Sequence, residues 1–183
     1  MGEWLHKHGP TADQLATPLQ DRRLVGRMLH HVTKGAAGER LPRLNDVDPW
    51  LVGDDWANCS LVRVRRPLEQ SIFIVVGTNL LPSRETVLEG EQISRCPQMT
   101  LLGTALSFLR RAADERSLVM VEGSAVHLDA PILYRSVLVP LSEDDKNIEA
   151  VLIAANSREL REGEGTTVAT RLVWSHSFSS QAH

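Results

Sequence analysis

The chain has 183 residues, with 20 Lys and Arg against 23 Asp and Glu, for a formal charge of −3. At 42% hydrophobic and 23% charged residues it reads as one ordinary globular domain, too apolar to be disordered. The negative balance and only 4% aromatics argue against nucleic acid as a partner, by bulk charge or by base stacking. No apolar run approaches the roughly 18 residues of a membrane span, so no membrane partner is expected. The polar start Met1-Gly2-Glu3-Trp4-Leu5 lacks the pattern of a secretory leader, and a cytoplasmic location follows as an expectation. Cys59 and Cys96 stand at no metal-ligand or redox spacing.

Residues 1–10 carry no apolar period and end in Gly9-Pro10, which predicts a loose arm. Thr17-Pro18-Leu19-Gln20 has the form of a helix start, with Thr17 as cap and Pro18 in the first turn. Leu15, Leu19, Val25, Met28, Leu29 and Val32 then form a ragged helical stripe, and Gly35 offers a stop. The stretch Leu41 to Trp50 is turn-rich, and Asp48-Pro49 can open a single helical turn. Cys59–Val64 and Ser71–Gly77 read as strands. The polar stretch from Pro82 to Cys96 reads as loops or short helical turns. Met99 to Arg116 reads as one helix with a broad apolar face of Met99, Leu101, Leu102, Ala105, Leu106, Phe108 and Leu109.

Three strands follow, Leu118–Leu128, Ile132–Leu141 and Ile148–Ala155, with turns at Asp129-Ala130-Pro131 and at residues 142–147. Thr166 to Trp174 alternates with Val168, Leu172 and Trp174 on one side, offering a sixth strand. The fold class is therefore α+β: an antiparallel five-stranded sheet with this optional sixth strand, helices on one face and an N-terminal helical extension. The chain divides into an N-terminal arm and helix (1–40), a domain (41–158) and a C-terminal extension (159–183). The strands Ser71–Gly77, Ser136–Leu141 and Ala150–Ala155 are apolar on both sides, so both faces of the sheet need cover. The first helix is expected to lie against the sheet or against its twin in a symmetric homodimer, with Leu19, Val25, Met28 and Val32 as the interface.

Four features occur in order: Leu41-Pro42-Arg43, Asp46-Val47-Asp48-Pro49, Gly77 after a buried strand, and Leu133-Tyr134-Arg135-Ser136 running on to Pro140-Leu141-Ser142. With the element order they resemble the stand-alone PAS-like proteins common in alphaproteobacteria, over roughly residues 40–158. The resemblance implies a PAS-like fold and a sensory or regulatory role, through a small ligand or a signalling protein.

The residues weigh against the usual cofactors. The segment Met99–Arg116 has no histidine to serve as an axial haem ligand, and Ser94-Arg95-Cys96-Pro97-Gln98 fails the flavin-photosensor pattern. No cofactor is expected, and the purified protein should be colourless. No nucleophile elbow, phosphate loop or zinc-protease helix occurs, and Gly163-Glu164-Gly165 reads as a turn. Glu143, Asp144 and Asp145 cluster in a hairpin connection and read as a solvated turn. The expectation is a non-catalytic module. Its ligand-binding candidates are Leu102, Leu106 and Phe108 from the helix, His127, and Tyr134 and Arg135 from the central strand, the last two pointing to opposite faces. The alternatives are a small α+β enzyme with His127 and a carboxylate as acid–base pair, and an interaction adaptor without ligand.

Overall fold

The computed structural model describes residues 23–35, 40–83, 85–160 and 169–178. The expected helix start at Thr17–Gln20, Leu19 of the stripe, Val168 and the turn at Gly163–Gly165 lie outside the described residues.

Among the described residues six antiparallel strands form one sheet in the order β2-β1-β5-β4-β3-β6. They are β1 (Cys59–Arg63), β2 (Ile72–Val76), β3 (Ser117–His127), β4 (Ala130–Leu141), β5 (Ala150–Glu159) and β6 (Arg171–Ser177). Among the described residues the α-helices are α1 (Leu24–Gly35), α2 (Leu44–Val47), α3 (Leu101–Leu106) and α4 (Leu109–Asp114). Three consecutive strands, β3, β4 and β5, form a meander, and β1 joins its β5 edge. Among the described residues no helix is long and apolar enough to cross a membrane.

Strand alternation splits the core in two. On the inner face Val62, Phe73, Val119, Val121, Leu138, Val151 and Ile153 pack with Leu101, Leu102, Leu109 and Ala112 of α3 and α4. On the outer face Cys59, Leu61, Leu118, Met120, Val137, Val139 and Leu152 pack with Leu24, Val25, Met28, Leu29 and Val32 of α1. This explains why the central strands are apolar on both sides. Of the stripe expected to lie against the sheet or against a twin, Val25, Met28 and Val32 are buried against the chain's own sheet.

The single helix expected from Met99 to Arg116 is two. Thr100 caps α3, its hydroxyl accepting the Gly103 N–H at 3.1 Å, so Met99 precedes the helix and is 72% exposed rather than part of the buried face. At the far end the Thr104 and Ser107 hydroxyls donate to carbonyls three residues back, and the Phe108 N–H turns to Ala105. Such local bonds tighten the last turn, and Phe108, at φ −100° and ψ 4°, becomes the break.

Two details of the sheet depart from the sequence expectation. The β3–β4 turn is centred on Leu128 and Asp129, both at positive φ (49° and 63°), and Ala130 and Pro131 already belong to β4. Positive φ at both positions is the geometry of a tight two-residue hairpin. In β6 the register against β3 slips between Met120 and Val121, so Val173 is an extra residue. The bulge puts Leu172 on the inner face and Trp174 on the outer, not both on one side.

The β2 edge is not bare. Phe73 exchanges backbone hydrogen bonds with Gly90 and Glu91, and Ile93 donates to Ser71, so the polar stretch after Pro82 covers the edge.

Candidate functional site

Of the six residues singled out for ligand binding, Leu102, Leu106, Phe108 and Tyr134 share the inner-face core, while Arg135 lies on the opposite face. Leu102 is fully buried in the inner core, with Leu106 and Phe108 half-buried at its margin. Tyr134 is buried on the same face and its hydroxyl lies 3.0 Å from the Thr170 hydroxyl, so its polar end ties the start of β6 to the sheet. Gly123, the register partner of Tyr134, makes room for that crossing: a Cβ there would stand 2.8 Å from the Thr170 Cα. These side chains are committed to packing and to the C-terminal strand.

His127 sits at the last pair of the hairpin, opposite Ala130, four residues along β4 from Tyr134. Its ring is half-buried, and Nδ1 is shielded from solvent without a hydrogen-bond partner. Burial alone pushes its pKa down. A carboxylate partner would push the other way. The pairing that an acid–base enzyme at His127 requires is not formed among the described residues, which also hold no cluster of three metal-ligating side chains.

Arg135 lies on the opposite, outer face, as strand alternation requires. Its guanidinium donates to Glu122 at 3.3 Å, and Arg171 of β6 donates to the other oxygen of the same carboxylate at 3.1 and 2.6 Å. These are direct register partners, Arg135 opposite Glu122 and Glu122 opposite Arg171. The same row continues through Asn156, opposite Arg135 on β5. Asn156 in turn accepts the backbone N–H of Val25 at 3.0 Å, within the first turn of α1. A polar row therefore runs across four strands from the C-terminal strand to the N-terminal helix.

Two further contacts hold α1. Arg27 pairs with Asp55, whose carboxylate also accepts the Val52 N–H at 2.9 Å. The His31 ring stacks on Trp50 with centroids 5.4 Å apart and planes 8° from parallel. His31 is pushed down in pKa by burial and by His30, Arg27 and Lys34 beside it. The turn-rich stretch after Leu41 thus serves as a shoulder for the helix. Asp46 closes α2 onto itself by accepting the Arg43 N–H at 2.9 Å, which gives the Asp46 of the resemblance a structural task.

The remaining candidates are structural. Both cysteines are buried and unpaired, and burial raises the Cys59 thiol to about 12, far from a reactive thiolate. Asp144 accepts the backbone N–H groups of Asn147 and Lys146 at 2.8 Å each, which holds its carboxyl well below the usual range. Asp144 thus closes the acidic turn on itself, while Oδ1 of Asp145 is buried without a hydrogen-bond partner. Arg116 secures the turn by donating to the Asp145 and Lys146 carbonyls at 2.6 Å each.

Sequence reasoning missed Glu122, Asn156 and Arg171. The signal was register. With the turn at Leu128–Asp129, counting outward pairs Glu122 with Arg135; a turn centred on Ala130 would have set Glu122 against Leu138. No family model, no curated protein and no solved structure matches the chain.

Proposed function

We propose that the chain is a PAS-like regulatory module that acts without catalysis, by changing how its N-terminal helix packs when a small ligand or a signalling protein binds. The observation that carries this reading is the placement of α1. It lies on the outer face of an antiparallel sheet whose inner face holds the helices of the β2–β3 connection. Two N-terminal strands beside a C-terminal three-stranded meander is the layout that the resemblance implies. A helix held by one apolar stripe, two polar anchors and one ring stack is an element that binding elsewhere can bias.

Between the two kinds of binding partner, the geometry favours a protein. The inner-face candidates are occupied with packing, and the Tyr134 hydroxyl is already bonded. Association with a second copy, expected from the sequence, has to use a surface other than the stripe of Val25, Met28 and Val32.

Native mass spectrometry of the freshly purified chain tests the reading, because it reports stoichiometry and retained ligand together. A bare mass of one or two chains, with a colourless solution, supports the protein-binding form. A stoichiometric small molecule supports the ligand-binding form. Turnover of a substrate that His127→Ala abolishes would overturn the proposal in favour of the enzyme.

A further inference from the structure

We draw no further inference here: the strongest candidate, the exposed apolar patch of Met99, Val126 and Leu128 at the tip of the β3–β4 hairpin beside His127, carries nothing because nothing in the structure shows what covers it.

Discussion

The side-chain oxygen of Asn156 on β5 accepts the backbone N–H of Val25, 131 residues earlier in the chain. The first N–H groups of a helix have no partner within it, and a side-chain acceptor normally comes from the residue just before. Here the sheet supplies an acceptor, which ties the start of α1 to the fold. Asn156→Ala should cost about 1 kcal/mol, as cap removals do. Hydrogen exchange should then rise at the first turn of α1 before it rises elsewhere. Unchanged protection there would show that the bond does not hold the helix.

The buried stripe makes a different prediction from a dimer interface. Met28 is fully buried against the sheet, so Met28→Ala should destabilise the isolated chain by about 2–5 kcal/mol. Val25→Asp with Met28→Asp should unfold it, since neither carboxylate would find a partner in that core. A folded monomer from the double variant, seen by light scattering and circular dichroism, would return the stripe to an intermolecular role.

The two phenylalanines of the inner core should separate cleanly. Phe73 is fully buried, and Phe73→Ala should cost about 3–5 kcal/mol in a denaturant titration. Phe108 stands at the α3–α4 break and is half-buried, so Phe108→Ala should cost clearly less. Equal losses would mean that the break holds Phe108 as firmly as a central strand holds Phe73.

Gly103 offers a test in which helix propensity and packing disagree. In a free helix Gly→Ala gains roughly 1 kcal/mol. In α3 the new Cβ would lie 2.1 Å from the Pro97 carbonyl oxygen and 2.8 Å from the Gln98 Cα, both backbone atoms that cannot swing aside. Gly103→Ala should therefore lower the melting temperature; a rise would show that the 97–100 turn yields easily.

Stability should fall on mild acidification. His127 is lowered in pKa by burial, and His31 by burial and neighbouring cations, so each binds a proton less readily folded than unfolded. Above the unfolded value of about 6.5 both states are neutral and the full stability is present. As the pH falls from there toward the lowered folded values, protons go first to the unfolded chain and stability is lost. His127→Leu should flatten the difference between denaturant midpoints at pH 7.5 and pH 5, because it removes the titrating ring together with the nitrogen that is buried without a partner. A slope unchanged in both His127→Leu and His31→Gln would place the acid sensitivity elsewhere.

Local pattern was enough for the α+β class, five of the strands and the need to cover both faces of the sheet; the sixth strand was only an option over residues 166–174, and it lies at Arg171–Ser177. Alternation in β4 separates Tyr134 from Arg135 whatever surrounds them, and the apolar stripe of Val25, Met28 and Val32 is legible from helical spacing alone. Those properties depend on chain geometry within a few residues. Register does not. The hairpin turn falls on Leu128 and Asp129, residues without the Asn-Gly chemistry that marks such turns, and the Val173 bulge leaves no trace in composition. One-residue shifts of this kind decide which side chains meet, so the Glu122 pairing with Arg135 and Arg171 appears only in the folded sheet. The surface that receives α1 was equally out of reach of local reading, because Asn156, Asp55 and Trp50 come from three separate segments brought together only when the sheet closes its outer core.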